Sequence, residues 1–220
     1  PEWYMVKMQL GLGLPMALQF SITAIGTMMV QTSLNLLGSM AVAAFTAGSK
    51  IDQLVTQAYV ALGTTMATYC AQNMGAGELK RIRQGFKCST IIGTVYSIAI
   101  AIPLMTVGKY LTYLFVSGDA AAIIEQVDIY LKCEAVFFIP LTIVNVCRNG
   151  IQGMGYGLLP MLAGVAELLG RGAVAMIAGA QKSYFGACMA SPAAWVLAGG
   201  LLLIMYFRVM KQQEKMFGLR

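Results

Sequence analysis

Apolar residues run in six long stretches along this chain, separated by short polar or glycine-rich breaks. Stretches of about 18 or more such residues read as helices long enough to cross the hydrocarbon core of a bilayer. The expected spans cover about 10–37, 41–73, 86–116, 121–150, 158–180 and 192–209. Gly38, Ser39 and Met40 form the first break, Met74, Gly75, Ala76, Gly77 and Glu78 the second, and Ser117, Gly118 and Asp119 the third. Gly150, Gly153, Gly155 and Gly157 make a glycine-rich link before the fifth span. Pro15 and Pro103 fall inside spans one and three, where the missing N–H permits a hinge or bend. Pro192 suits the first turn of the sixth. The residues before Leu10 read as a connector into the first helix. The pattern predicts an all-α membrane protein, a six-transmembrane-helix bundle, with residues 1–220 forming a single transmembrane domain.

A cluster of positive charge follows every second span. Lys7, the group Lys80, Arg81, Arg83 and Lys87, then Arg148, then the tail Lys211, Lys215 and Arg220 share one side, while Lys109 and Lys182 lie on the other. Lys and Arg concentrate in cytoplasmic loops. Both ends are therefore expected in the cytoplasm, in a multi-pass protein of the cell membrane. The composition agrees, at 58% hydrophobic and 11% charged residues, against a soluble norm near 45–50% and about 25%. The net charge of +6 belongs to residues flanking spans, where the lipid bilayer and its anionic headgroups account for it. No basic stripe with interleaved aromatics suggests nucleic acid. The chain has no His, and its five Cys include no CxxC pair, so neither a metal site nor a cofactor is expected and no catalytic constellation assembles. The cysteines read as small buried hydrophobes.

Polar residues inside spans carry the functional signal, because they are costly in lipid and turn towards the bundle interior or a wet cavity. In span one Gln19, Thr23, Thr27, Gln31 and Asn35 recur every four residues. Each four-residue step drifts about 40° around a helix, so they form a slanting ridge that either lines a cavity or hydrogen-bonds to neighbouring helices. Span two adds Asp52, Gln53, Thr56 and Gln57. Asp52 is either a structural ion-pair member or a protonatable site for ion coupling. In span four Glu125, Asp128 and Lys132 share a face, with Glu134 nearby, and read as a solvated outer face, while Asn145, Arg148 and Asn149 lie towards the cytoplasmic end. In span five Glu167 and Arg171 are four apart with the acid first, which suits an architectural ion pair.

Three segments together resemble a known family. Leu12-Gly13-Leu14-Pro15 opens span one. Gln72-Asn73-Met74-Gly75-Ala76-Gly77, then Arg81 and Arg83, follows span two. Glu167-Leu168-Leu169-Gly170-Arg171 lies in span five. In this order and on these helices they resemble the seventh helix, the QNxGAG loop and the ExxxR pattern of the multidrug and toxic compound extrusion (MATE) transporters. The resemblance implies one lobe of a two-lobe, twelve-helix transporter, here the second. On this reading the chain is the back part of a longer protein whose first lobe is missing, or a half that works with a second copy. It further implies export of small organic, often cationic, compounds in exchange for protons or sodium ions, by rocking of two lobes around a central cavity.

The expected cavity wall comprises Gln19, Thr23, Thr27, Gln31, Asn35, Gln53, Gln57 and Asn145. The chain departs from the resemblance at one point. Several MATE proteins carry a coupling carboxylate eight residues after the proline, where this chain has Thr23, and their tenth-helix acids match the stretch near Leu141 and Thr142. Coupling then falls to Asp52 or to the absent lobe. Two other readings are a flippase for lipid-linked oligosaccharides, which needs a strongly cationic cavity, and a membrane scaffold subunit that transports nothing.

Overall fold

The computed structural model describes residues 2–114 and 121–217, and every regular element among them is helical. α1 spans Trp3–Leu37, α2 Ser39–Gly75 and α3 Leu79–Val107, the last continued by a 3-10 segment, Gly108–Leu114. α4 (Ala121–Val136), α5 (Phe138–Gly153), α6 (Leu158–Ala180), the short α7 (Tyr184–Cys188) and α8 (Ala190–Met216) complete the chain. α1 and α2 are divided only by Gly38, whose φ of 102° is a backbone conformation that glycine adopts without steric cost. The third predicted break, residues 117–119, lies outside the described residues.

Several expected boundaries move. The residues read as a connector are helical from Trp3, and α1 passes through Pro15 without interruption. α3 begins at Leu79, so the basic cluster is part of the helix rather than a loop before it. α8 begins two residues before Pro192 and carries Lys211 and Lys215 in helix. The largest correction concerns span four, which is two helices broken at Phe137. Pro140 explains the break: it has no N–H for the carbonyl of Val136, and its ring crowds that turn. Arg148, expected among the cytoplasmic charges, is half-buried and ion-paired to Glu167 of α6.

Four helical segments combine the length and the apolar composition needed to cross a bilayer: Trp3–Leu37, Leu79–Tyr113, Leu158–Ala180 and Tyr184–Met216. The expectation was six. The others fall short for different reasons: α2 is long enough but less apolar, and the α4–α5 rod is broken at Phe137 into two helices of 16 residues each. α2 packs on α5, α4 and α3, and α5 packs on α2, α8 and α3. On the other flank α1 lies along α6, which in turn packs on α8.

Lipid gives helices no hydrophobic reason to associate, so close packing and hydrogen bonds must hold them together. Glycine supplies the close packing. A methyl group added at Gly153 of α5 would sit 2.2 Å from the carbonyl oxygen of Ala67 in α2, and one at Gly150 would sit 2.3 Å from the Phe86 ring of α3. Buried hydroxyls supply bonds between helices. Tyr59 of α2 shares a 3.0 Å hydrogen bond with Ser97 of α3, which shares another of 3.0 Å with Thr142 of α5.

Charge supplies the third tie. Glu167 of α6 is buried and accepts from two guanidinium groups, Arg171 at 2.8 Å on its own helix and Arg148 at 2.5 Å on α5. The pair predicted within α6 is therefore a three-member bridge that fastens α6 to α5. One carboxylate serves two cations, so its removal strands both.

Two predictions follow from packing and charge, both checked by thermal unfolding of the complete protein in detergent. Gly153→Ala destabilises by roughly 1–3 kcal/mol through overpacking, whereas Gly200→Ala, on α8 with nothing within 4 Å of the added methyl, is neutral or gains up to about 1 kcal/mol. Glu167→Gln costs roughly 3–5 kcal/mol, the scale for an orphaned buried charge. Arg148→Gln costs less, since Glu167 keeps Arg171.

Candidate functional site

The described lobe has two kinds of outer surface. On α3 the exposed positions Ile91, Ile92, Val95, Ile98 and Ile102 are apolar, as are Val196, Leu197, Ile204 and Phe207 on α8. α1 and α2 differ. Thr27, Gln31 and Asn35 are exposed on α1, and Gln53, Gln57, Thr64, Thr68 and Gln72 are exposed on α2. Their spacing of four and seven residues keeps the α2 group on one side of its helix. Most of the hydroxyls bond back to their own helix, as Thr64 does to the Val60 carbonyl and Thr68 to that of Thr64. This satisfies the proton and leaves oxygen lone pairs facing outward. Thr64, Thr65, Thr68, Tyr69 and Gln72 line a hollow of about 390 Å³ on this face.

The ridge of α1 does not hold together as one wall. Gln19 is only 6% exposed. Its amide oxygen accepts from Gln152 Nε2 of α5 at 3.0 Å, and Gly164 of α6 lies against its side chain. Thr23 is half-buried and bonds to the Gln19 carbonyl. Thr27, Gln31 and Asn35 are exposed, with Gln31 donating to Asn35 at 3.1 Å. The drift of about 40° per step accumulates to about 160° between Gln19 and Asn35, so the two ends point to different surroundings. Asn145 is half-buried where α5 packs on α2, its amide donating to the Leu141 carbonyl at 3.0 Å and its own carbonyl accepting from Asn149.

A second set of polar groups is enclosed. Asp52 of α2 is half-buried, and Glu134 of α4 is 1% exposed. Asp52 Oδ1 and Glu134 Oε2 each lack a hydrogen-bond partner among the described residues. Helix geometry puts them together. A methyl at Gly48 of α2 would sit 2.5 Å from the Tyr130 ring of α4. Asp52 and Glu134 each lie four residues beyond that contact, one turn further along the same faces. Their charges repel, and the Arg171 guanidinium attracts Glu134 across the bundle.

Glu134 corrects the reading of α4 as a solvated outer face. Lys132 and Asp128 do form a surface ion pair at 2.6 Å, and Glu125 is exposed. Glu134, however, shares the buried stripe of Val127, Tyr130 and Leu131. The spacing i, i+3, i+4, i+7 from Val127 is present in the sequence and is the signal that finds it. Arg148 follows the same logic: it extends the inward row of Leu141 and Val144. Of the cysteines, Cys70, Cys133, Cys147 and Cys188 are buried as expected, while Cys88 is exposed on α3.

Comparison with known proteins agrees with this architecture. Residues 13–177 match the MatE family. A Bacillus subtilis protein described as a probable multidrug resistance protein, YpnP, is 34% identical over 163 residues, which cover 74% of this chain and 36% of the relative. An FAD transporter of Shewanella oneidensis is 28% identical over 63% of this chain and 30% of its own length. Among solved structures, a MATE protein in complex with MaL6 superposes with a TM-score of 0.91 at 17% identity, covering 98% of this chain and 49% of that one. A MOP superfamily transporter from Pyrococcus furiosus gives 0.89 at 17% identity over 97% of this chain and 48% of that one. The chain thus spans about a third of the length of these curated relatives and about half of the solved chains. On its family match and its fold, this chain belongs to the MatE family of transporters.

Proposed function

We propose that this chain forms one lobe of a secondary active exporter that carries small organic compounds out of the cell in exchange for protons or sodium ions. The observation that carries the reading is the set of exposed amides and hydroxyls placed among apolar side chains on α1 and α2. An amide- and hydroxyl-rich face on α1 and α2 would be costly against acyl chains, whereas water or a second lobe can accept it. The apolar faces of α3 and α8 suit lipid. Thr27, Gln31 and Asn35 with Gln53, Gln57, Thr64 and Thr68 would then line the cavity shared with a second lobe, supplied by the rest of a longer chain or by another copy. Gln19 and Asn145 would act behind this wall, positioning α1 and α5 rather than touching substrate. Both ends lie in the cytoplasm on this reading, following the positive charge of α3 and α8. Alternating access arises from rocking of the two lobes.

Asp52 and Glu134 are our candidates for the coupling site. Two carboxylates set side by side away from water need a compensating positive charge. A proton or a sodium ion on the pair supplies it, and release of that ion changes how tightly α2 and α4 can pack. Because α2 also carries Gln53 and Gln57, ion release at Asp52 is transmitted to the substrate wall through a single helix.

The FAD transporter among the relatives makes an anionic substrate a second reading for the wall. A flippase for anionic lipid-linked sugars is less well supported. Arg171, one of the few deep cations, is already committed to Glu167.

Transport by the complete protein in proteoliposomes, with an imposed proton or sodium gradient, tests both parts. Asp52→Asn and Glu134→Gln should each lower gradient-driven efflux of an organic cation by at least about tenfold, the scale of a coupling free energy between two sites, while leaving substrate binding nearly unchanged. Retained gradient-driven efflux in both variants contradicts the coupling assignment. Gln57→Trp should weaken substrate binding by about tenfold or more through steric exclusion, without loss of ion-dependent stabilisation. Unaltered binding and transport in that variant removes α2 from the cavity wall.

A further inference from the structure

A groove of about 680 Å³ lies between α3 and α8, away from the α1–α2 face. The two helices meet through side chains rather than close backbone packing, and α5 packs on both, bringing Cys147 to the groove floor. The rings of Phe86 and Tyr206 meet across it at 4.3 Å. Its lining changes character along its length. At the bundle end sit Arg83, Lys87 and Lys211 with one carboxylate, Glu214, to which Arg83 is ion-paired. One or two turns further in the lining is Ile91, Leu203 and Phe207. From Arg83 to Ile91 the rise is about 12 Å, so a cationic mouth and an apolar slot are stacked along the membrane normal.

This is the polarity profile of a phospholipid at one leaflet. The mouth carries three cations against one acid, a net charge of +2 among its lining groups. The slot opens onto the surface where α3 and α8 expose Ile91, Ile92, Ile204 and Phe207, the surface assigned above to lipid. Basic pockets between membrane helices hold anionic headgroups, and each Lys or Arg near the surface adds to that attraction. We propose that this groove binds an anionic phospholipid, with Lys87 and Lys211 holding the phosphate and an acyl chain lying over Ile91, Leu203 and Phe207. The inference rests on the α3–α8 surface facing lipid and not on the transport cycle.

Bound lipid would bridge α3 to α8, two helices with little direct packing between them. The test is native mass spectrometry of the complete protein, titrated with phosphatidylglycerol and, separately, with phosphatidylcholine. Phosphatidylglycerol should be retained at least about tenfold more tightly than phosphatidylcholine, and Lys87→Gln/Lys211→Gln should remove that preference. Ile91→Trp, which fills the slot and keeps every charge, should weaken phosphatidylglycerol binding as well. Lys80→Gln/Arg81→Gln, outside the groove, should leave it intact. Equal retention of the two lipids, or a preference that survives the Lys87 and Lys211 changes, overturns the proposal. So does an equal loss in the Lys80 and Arg81 variant, which would mean diffuse surface charge. Inorganic phosphate displacing phosphatidylglycerol completely at millimolar concentration would point instead to a soluble-anion site and also overturns it.

Discussion

A hydrocarbon interior cannot accept or donate a hydrogen bond, and that constraint organises every polar group in this lobe. Glu167 answers it with two guanidinium partners on two helices. Tyr59, Ser97 and Thr142 answer it with a chain of hydroxyls across α2, α3 and α5. The threonines of α2 bond to their own backbone. Besides scattered single atoms such as Ser33 Oγ, Thr112 Oγ1 and Gln213 Oε1, two groupings remain outside these arrangements: the Asp52–Glu134 carboxylates, enclosed but not fully bonded, and the amides of α1 and α2, bonded only in part and exposed. On the proposed reading, these are the two places where an ion and a substrate from outside would bind.

The two sets are mechanically linked. α2 carries Asp52 on the side that meets α4 and Gln53 and Gln57 on the side that is exposed, within six residues. A charge change in the carboxylate pair therefore bears on the same helix that would touch substrate. α5 is the fixed point behind this helix. Gly153 allows its backbone to approach Ala67 more closely than any side chain would permit, and Arg148 ties it to α6. On the proposed reading, a fixed α5 with a responsive α2–α4 contact would let one small ion drive the lobe rearrangement.

Much of the fold was legible in the sequence, because long apolar stretches separated by glycine-rich breaks are strong signals. What the sequence obscured has specific causes. Span four reads as one helix until Pro140 is matched to the carbonyl of Val136. Glu134 lies among Glu125, Asp128 and Lys132, and local charge density suggests a wet face although its helical phase points inward. Arg148 resembles a loop cation because it sits near a helix end, and only the position of Glu167 on a different helix reveals its partner. The ridge of α1 is legible residue by residue, but a rotation of about 40° per step separates its ends: Gln19 and Asn35 belong to one row and not to one environment. The Glu167–Arg171 spacing identified its pair correctly and left out the third member, since contacts across distant parts of the chain leave no spacing to read.

Water access along α2 and α3 tests the central claim most directly. In the complete protein, with the native cysteines replaced by serine, Gln53→Cys, Gln57→Cys and Thr64→Cys on α2 should react with a charged, membrane-impermeant thiol reagent and be protected by transported substrate. Val95→Cys and Ile98→Cys on α3 should not react. Reaction on α3 with silence on α2 would mean that the polar face is sealed and the apolar face is wet, and the transport cavity would have to lie elsewhere.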